Sequence, residues 1–437
     1  MKKYRALIPI GMVVLMLASW YTLISDTAQV NAEYDHYLSE ARRFAEDGIT
    51  KYAIQNYTSA LEIKSSAELY AEVADYYKTQ GKSAECLAWC RELFEAFPTH
   101  PLAYDYLLNA YVDAGDYESC YDVLNVAAKR NISSEYMDQV NAELMYTFRL
   151  DFNTYSDVGI YSNNYCAVNN KDRWGFVDRY GNLRVACSYP QVGAYTKINF
   201  VSVVNPKGEA FFIDKTGSKV MVSKEPYQKF GLLVNGIIAA QRMDGKYIYV
   251  NDKFSVLFGE YDYASTVNNH VAAVKNGAAW QLIDAQGNAI TNQTYLDVKL
   301  DEKQIAFRND RLFVSTAPGK YIMIDAAGTQ IGSLTFEDAQ IFSGAAPAAV
   351  KIDGRWCFIG ADGSLISNHK YDDARSYANG LAAVCIDGKW GFVDLNEDVV
   401  IEPQFYSAKD FNEKGSCFVK TGDKWQLLKL YRLNREG

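Results

Sequence analysis

Residues 380–408 read GLAAVCIDGKWGFVDLNEDVVIEPQFYSA, a stretch in which three short apolar segments alternate with two turns. The segment LAAVCI runs into Asp387-Gly388, a dipeptide that favours a tight hairpin turn. The segment KWGFV follows and ends at Asp394, whose carboxylate can accept hydrogen bonds from its own turn. A third segment, DVVIEP, leads to an aromatic-x-x-small motif at residues 405–408. The pattern predicts a three-stranded antiparallel unit with alternating apolar residues.

An aromatic residue heads the middle strand of similar units throughout residues 151–434, at separations of 33 to 41 residues. In most units an Asp or Asn follows four residues later, and a Gly often comes three residues after that, where a bulged turn requires positive φ. Because packing inside each unit would repeat an aromatic ring at one fixed position, we predict that these rings are structural. The alternative is an exposed array that stacks on carbohydrate. The column comprises Trp174, Tyr247, Trp280, Tyr321, Trp356, Trp390 and Trp425, with Ala210 at the position of the second unit.

The two ends of this block complement each other. The last unit reaches its aromatic strand at Trp425 and lacks a third strand, whereas residues 150–158 resemble the third strand and motif that lead into other units. An unfinished sheet edge invites aggregation, and pairing with the N-terminal segment would remove that edge. We therefore predict a propeller-like ring of eight three-stranded units, with residues around 148–155 completing the last one. An open β-solenoid is the alternative.

A different period precedes this block. Gly48, Gly81 and Gly115 are spaced 33 and 34 residues apart, and each follows an apolar pattern at helical spacing. Small residues at positions 53, 86 and 120 would let the two helices of each pair approach closely. Residues 134–149 have the pattern of a lone amphipathic helix that would cap the open end of the stack. The sequence therefore predicts helical hairpins over residues 33–150.

The two blocks resemble known repeat families. The helical block resembles tetratricopeptide (TPR) repeats, and the later block resembles the WG repeat found in exported or membrane-associated bacterial proteins, although the Trp-Gly pair survives only at 174–175 and 390–391. The TPR resemblance implies a groove that binds a protein or peptide partner. The alternative for each groove position is a solvated helix face. The implied groove residues are Arg42, Asp75, Lys78, Asp105 and Asn109.

Residues 6–25 carry no charge and are long enough to span a bilayer as a helix. Lys2, Lys3 and Arg5 precede them, so the positive-inside rule predicts a cytoplasmic N-terminus and an extracytoplasmic body. We predict a single-pass anchor and linker over residues 1–32. The alternative is a signal peptide that is cleaved to release a secreted protein.

The composition excludes several kinds of chemistry. With a net charge of −9 and a pI near 5.2, the chain lacks the basic surface that nucleic-acid binding requires. The eight cysteines have no metal-ligand spacing, and we predict buried free thiols in preference to a disulfide framework. Each Asp-x-x-Gly turn offers one carboxylate, too few for calcium. We predict no cofactor, no metal and no catalytic residues.

Together these features predict an α + β multidomain protein with an anchor (1–32), helical repeats (33–150) and a β-repeat domain (151–437). The predicted function is a non-enzymatic protein-interaction scaffold, held by its N-terminal helix on the extracytoplasmic face of a bacterial membrane. The alternative is a module that binds cell-wall glycan through exposed aromatic side chains.

Overall fold

The computed structural model describes residues 28–431, which divide into two compact units. The first comprises residues 28–145 with Tyr431, and the second comprises Tyr146–Leu430. The predicted membrane anchor, residues 6–25, lies outside the described residues. Among the described helices, none has the length and apolar character needed to cross a bilayer.

The first unit is built from helical hairpins, as predicted. Gly48, Gly81 and Gly115 adopt φ values of +72°, +68° and +67° where the first helix of each pair ends, a conformation that favours glycine. The predicted capping helix ends at Leu144 instead of residue 149, because residues from Phe148 onward pair in a sheet. The helical segments are residues 28–46 (α1), Thr50–Ile63 (α2), Ala67–Thr79 (α3), Ser83–Ala96 (α4), Pro101–Asp113 (α5), Tyr117–Lys129 (α6) and Glu135–Leu144 (α7).

The second unit, as described, is a β-propeller of eight blades, each an antiparallel sheet. The first strand, β1 (Phe148–Tyr155), precedes blade 1. Blade 1 comprises β2 (Asp157–Val158), β3 (Tyr165–Asn170), β4 (Arg173–Asp178) and β5 (Leu183–Tyr189), and blade 2 comprises β6 (Gln191–Val192), β7 (Val201–Val204), β8 (Ala210–Ile213) and β9 (Lys219–Met221). Blade 3 comprises β10 (Tyr227–Phe230), β11 (Ile237–Arg242), β12 (Tyr247–Asn251) and β13 (Val256–Tyr261), and blade 4 comprises β14 (Tyr263–Ala264), β15 (Val271–Asn276) and β16 (Ala279–Asp284). Blade 5 comprises β17 (Asp297–Val298), β18 (Leu312–Ala317) and β19 (Lys320–Ile324), and blade 6 comprises β20 (Asp338–Ala339), β21 (Ala348–Ile352) and β22 (Arg355–Ile359). Blade 7 comprises β23 (Asp373–Ala374), β24 (Ala382–Ile386), β25 (Lys389–Val393) and β26 (Val399–Phe405). Blade 8 comprises β27 (Ser407–Ala408), β28 (Ser416–Lys420) and β29 (Trp425–Leu430), and β1 completes it.

The ring closes as predicted, and the open solenoid is wrong. Strand β1 pairs antiparallel with β29, placing Phe148 opposite Leu430 and Leu150 opposite Leu428. Phe148 and Leu150 pack against the apolar core that blades 7 and 8 share. The N-terminal strand therefore supplies the outer edge that the last blade lacks.

The prediction of three strands per blade is wrong for most of the ring. The end of each aromatic-x-x-small motif forms the innermost strand of the following blade, as Val158 does by pairing with Val168. Counting that strand, five of the eight described blades have four strands. In blades 4, 5 and 6 the outer strand is reduced to isolated bridges, such as those from Trp280 to Tyr295 and from Ile283 to Ala289.

The aromatic column pairs with the aromatic residue of the next motif. Trp174 lies opposite Tyr189, and Trp390 lies opposite Phe405. Trp425 lies opposite Tyr155, so the same pair recurs across the ring closure. Equivalent pairs join Tyr247 to Tyr261, Trp280 to Tyr295, Tyr321 to Phe336 and Trp356 to Tyr371. Each pair holds the outer edge of a blade against its middle strand.

The Asp residues of the repeated turns bond to their own backbone, as predicted. Asp178 Oδ1 accepts hydrogen bonds from the N–H groups of Tyr180 and Asn182 at 2.9 and 3.0 Å. Gly181, in the same turn, has a φ of +87°. Asp214 and Asp284 make the same pair of bonds, so these carboxylates are used by the fold.

Blade 7 departs from this turn chemistry. Glu397 replaces the glycine and adopts a φ of +63°, which is unfavourable for a residue with a side chain. Its carboxylate is 2% exposed; Oε2 accepts the Tyr371 hydroxyl at 2.8 Å, and Oε1 has no hydrogen-bond partner among the described residues. His369 Nδ1 lies 3.5 Å from Oε2. Glu397 is thus a buried acid held mainly by one tyrosine.

We expect Tyr371→Phe to lower the free energy of unfolding by about 2 kcal/mol, because it leaves a buried carboxylate without its hydroxyl donor. Tyr295→Phe is the matched control. Tyr295 holds the same position in its motif, opposite Trp280, but its hydroxyl donates to the neutral Gln293 at 3.0 Å. It should cost about 1 kcal/mol. Adding Glu397→Gly to Tyr371→Phe should restore most of the loss, measured by urea unfolding. Equal costs for the two tyrosine variants would contradict this account.

The eight cysteines are free thiols, and all except the half-buried Cys187 are buried. Cys86 and Cys120 occupy the small-residue positions of their helical hairpins, as predicted. Burial raises the pKa of Cys120 to about 11 and, together with the neighbouring Cys86, raises that of Cys90 to about 12. These thiols therefore stay protonated near neutral pH and behave as small apolar side chains.

Candidate binding site in the central channel

One position after each innermost strand recurs in all eight blades. Its backbone N–H donates to a carbonyl of the second strand, as from Gly159 to Ala167 at 2.9 Å and from Arg375 to Ala383 at 2.9 Å. The side chains at this position differ sharply around the ring. We call the set the channel column: Gly159, Gly193, Gly231, Ser265, Lys299, Gln340, Arg375 and Lys409. Blades 1 to 3 carry glycine here, whereas blades 5 to 8 carry long polar or charged side chains.

Loops that follow the innermost strands of blades 1, 5, 6, 7 and 8 enclose a cavity of about 490 Å³, which we call the charged cavity. The Arg375 guanidinium holds Asp410 through two contacts, of 2.5 Å from Nε and 3.0 Å from Nη2. Glu302 Oε1 lies 2.9 Å from Lys409 Nζ and 3.4 Å from Arg375 Nη2. Burial alone would lower the pKa of Arg375, but Asp410 and Glu302 hold it above its ordinary value.

Glu302 reaches the channel because blade 5 carries an inserted turn. Asp301 Oδ1 accepts the N–H groups of Lys303 and Ile305 at 2.8 and 2.9 Å, which fixes the turn. Asp301 also pairs with Arg308 at 2.7 Å. The turn leans on blade 4, where the Thr266 N–H donates to the carbonyl of Gln304 at 2.8 Å. This turn brings Glu302 and Lys303 into the lining of the channel.

A second cavity, of about 240 Å³, shares Ile160, Glu302 and Lys303 with the first. We call it the glycine-walled cavity, since Gly159, Gly193 and Gly231 all belong to its lining. Aromatic and charged side chains complete the lining, among them Trp174, Phe176, Tyr195, Phe230 and Lys229.

Two ammonium groups of the glycine-walled cavity lack partners. Among residues 28–431, neither Lys229 nor Lys303 makes a side-chain hydrogen bond or an ion pair. Burial lowers the pKa of Lys229 below its usual value. Burial, reinforced by Arg308, also lowers the pKa of Lys303, although the nearby carboxylates of Asp301, Asp410 and Glu302 oppose this shift. Unpaired, partly desolvated cations are unfavourable for folding, which makes them candidates for binding an anion.

The five predicted groove residues lie on α1, α3 and α5, the first helices of successive hairpins. Each side chain contacts a residue of the next hairpin or of the segment that begins α7. Arg42 donates from Nε and Nη2 to both oxygens of Glu72, each at 2.8 Å. Lys78 contacts Asn109 and pairs with Asp113 at 2.7 Å.

The remaining groove contacts run in the same direction along the stack. Asp75 accepts the Tyr106 hydroxyl at 2.6 Å, and Asp105 accepts that of Ser134 at 2.5 Å. Asn109 donates to the Tyr136 hydroxyl at 3.0 Å. These contacts tie helices α1, α3, α5 and α7 together, and a partner-binding role for the five residues stays a prediction.

The aromatic column is occupied by packing. Tyr247, Trp280, Trp356 and Trp425 are at most 8% exposed, and Trp174, Tyr321 and Trp390 are half-buried. Their faces pack against the next motif or beneath lysine side chains, as Lys275 lies 5.7 Å from the Trp280 ring centre. This leaves little free ring surface for stacking on a sugar.

The repeated stretch that the sequence shows most clearly also has a family match. The sequence model of the WG containing repeat matches residues 358–390 and 390–425. The WG-repeat matches run from the middle strand of blade 6 to that of blade 8. No curated protein matches the chain significantly.

Three solved structures resemble the chain at low identity and low TM-score. BamB from Moraxella catarrhalis is 10% identical, with 62% of this chain and 96% of that chain covered, at a TM-score of 0.42. The C-terminal WD40 domain of Sif2 is 12% identical, with 64% and 98% covered, at a TM-score of 0.42. The Dos1 propeller is 12% identical, with 66% and 96% covered, also at 0.42. These similarities concern the fold alone.

Proposed function

We propose that the chain is a non-enzymatic scaffold that binds a protein or peptide partner at the central channel of its propeller. The observation that carries this proposal is the asymmetry of the channel column. Its long polar and charged side chains come from four consecutive blades, 5 to 8, while blades 1 to 3 carry glycine at the same backbone position.

The fold does not require this asymmetry. Each blade is held by its own strand pairs and by apolar cores that it shares with neighbouring blades, and blades with glycine in the column keep the same backbone hydrogen bond. Conversely, Glu302, Gln340 and Arg375 line one cavity although they come from three blades, and Lys409 of a fourth blade pairs with Glu302. Charged groups concentrated in a concave site with an apolar opposite wall are typical of recognition surfaces.

The same proposal includes tethering. Residues 6–25 would hold the scaffold on the extracytoplasmic face of a bacterial membrane, as their uncharged length and basic flank favour. Protease added outside cells stripped of their outer layers should then digest residues 28–431. Protection of these residues until the membrane is opened would contradict this location.

Photo-cross-linking from the channel tests the scaffold function. A benzoylphenylalanine at Ser343, an exposed residue that lines the charged cavity, should capture a discrete polypeptide in native membranes. The matched control carries the same probe at Val256, which is 62% exposed on the outer strand of blade 3. The adduct should be absent there and should disappear with protease but not with muramidase. An identical adduct from both positions, or none from Ser343 in a folded protein, would contradict the proposal.

A further inference from the structure

We propose that the glycine-walled cavity binds a carboxylate that is attached to an apolar or aromatic group. The two ammonium groups of Lys229 and Lys303 would pair with the carboxylate, and the half-buried side chains of Ile160 and Tyr165 would pack against the apolar part. This deepens the proposed function and rests on it in one respect: a partner would supply the carboxylate as an acidic side chain or chain end.

The cavity exists because three neighbouring blades lack a side chain at one position. Gly159, Gly193 and Gly231 have φ values outside the left-handed region, so backbone conformation does not require glycine there. The Cβ of an alanine at 159 or 193 would find its nearest neighbour at 3.5 Å, an ordinary contact. At Gly231 an added Cβ would meet Thr266 Oγ1 at 3.3 Å, a tighter fit. Since blades 5 to 8 carry Lys, Gln or Arg at the same position, glycine in blades 1 and 2 serves to leave space.

The charge balance of the cavity favours an anion. Its lining includes two lysines and one acid, Glu302, whose carboxylate is already held by Lys409 at 2.9 Å. The lysines have no partner of their own among the described residues. An entering carboxylate would give these partly buried ammonium groups a direct ion-pair partner, which neither has among the described residues, although the carboxylates of Asp301, Asp410 and Glu302 act on Lys303 from a greater distance.

The cavity suits a carboxylate better than a phosphate. Phosphate sites commonly use free backbone N–H groups, often from glycines. Here the N–H groups of Gly159, Gly193 and Gly231 already donate to Ala167, Ser202 and Ala239, at 2.8 to 2.9 Å. The rest of the wall is largely aromatic and aliphatic, where a doubly charged and strongly hydrated group would be costly to desolvate.

Calorimetric titration of the full chain with 3-phenylpropionate tests the inference, with 3-phenylpropanamide as the uncharged control. We expect binding of the acid and none of the amide. Lys229→Met and Lys303→Met should each weaken binding about tenfold or more. Because each removes an unpaired buried charge, neither should lower the thermal midpoint. Lys207→Met, in an exposed turn of blade 2, should bind as the unaltered chain does.

Gly193→Gln is an independent test of the inference. It places in blade 2 the side chain that Gln340 provides at the same position in blade 6. It should fill the cavity and abolish binding while the chain stays folded. Unchanged binding by this variant or by both lysine variants, or equal binding of acid and amide, would overturn the inference.

A capped peptide, Gly-Ser-Phe-Glu-Ser-Gly, distinguishes the source of the carboxylate. Tighter binding of this peptide than of 3-phenylpropionate, lost when its Glu is replaced by Gln, points to a protein partner. Binding of the free acid alone points to a small metabolite. A Ser343 adduct that persists in Lys229→Met and Lys303→Met would leave the scaffold function standing and remove the carboxylate site from it.

Discussion

A chain that begins at Asp157 will fail to form a stable propeller, whereas a chain that begins at Tyr146 will fold. The two differ only in residues 146–156, which contain strand β1. Without β1, blade 8 loses its outer strand, and the Leu428 and Leu430 positions of β29 lose the partners that they pair with. The exposed edge of β29 would also become a template for aggregation.

The expected loss is large. Tyr146, Phe148 and Leu150 are half-buried against the core that blades 7 and 8 share, and each contributes less than the about 2 kcal/mol that full burial of such a side chain provides. The ion pair from Asp151 to Lys429, at 2.8 Å, and the hydrogen bond from Gln426 to the Asp151 carbonyl are lost as well. A total on the order of 5 kcal/mol is comparable to the whole stability of many domains.

Urea unfolding and size-exclusion chromatography of the two truncated chains provide the measurement. The chain from Tyr146 should elute as a monomer and unfold cooperatively, and the chain from Asp157 should aggregate or unfold at a much lower urea concentration. A third chain, beginning at Tyr146 with Leu150→Pro, separates pairing from length, because proline cannot donate to the ladder. Equal stability of all three would show that closure contributes nothing.

Gly391→Ala should lower the free energy of unfolding by about 3 kcal/mol, because the added methyl group overpacks a tight strand contact. Its Cβ would lie 2.4 Å from the carbonyl oxygen of Ile401 and 2.7 Å from the nitrogen of Pro403. Both are backbone atoms, which cannot move aside as a flexible side chain could. Gly175→Ala meets the same obstacle, 2.4 Å from the carbonyl oxygen of Val185, and should cost a similar amount.

Gly159→Ala is the matched control. Like Gly391, its φ lies outside the left-handed region, but the new Cβ meets nothing closer than 3.5 Å. It should change stability by less than about 1 kcal/mol. Urea unfolding of the three variants provides the comparison, and a loss as large for Gly159→Ala as for Gly391→Ala would show that the close contact is not the cause.

The same contact explains why glycine follows the tryptophan in blades 1 and 7. In blade 7, three residues, 402–404, lie between the two that pair with Trp390 and Phe392, and their backbone passes directly over Gly391. In blade 4 the corresponding excursion is longer, with residues 291–294 between Ile290 and Tyr295. The longer excursion leaves room for Gln281 in blade 4.

Ring closure could be predicted from the sequence because it depends on a missing piece. Trp425 had no third strand after it, and residues 150–158 had the pattern of one without a unit before it. The number of strands was harder to predict. An innermost strand of two residues, such as Asp157–Val158, carries no periodic pattern of its own and is recognised only from its pairing.

The channel was missed for a different reason. Glu302 and Lys409 are 107 residues apart in the chain and meet only because the ring brings blades 5 and 8 to a common centre. The sequence does place Arg375 and Lys409 directly after the small residue of their motifs, so an aligned column could have shown them. Nothing in such an alignment gives the pairing of their charges or the lack of partners at Lys229 and Lys303.

The antiparallel pairing of β1 with β29 also governs how the ring responds to pulling. Phe148, where the chain enters the ring, lies opposite Leu430, where it leaves. Force applied at these two residues therefore separates the strands from one end, and the backbone hydrogen bonds between them break one after another. If the force were applied at opposite ends of the strand pair, all of its hydrogen bonds would share the load in shear. Tension applied between Phe148 and Leu430 therefore loads the pair of β1 and β29 first, and we expect it to open blade 8 before the other described blades.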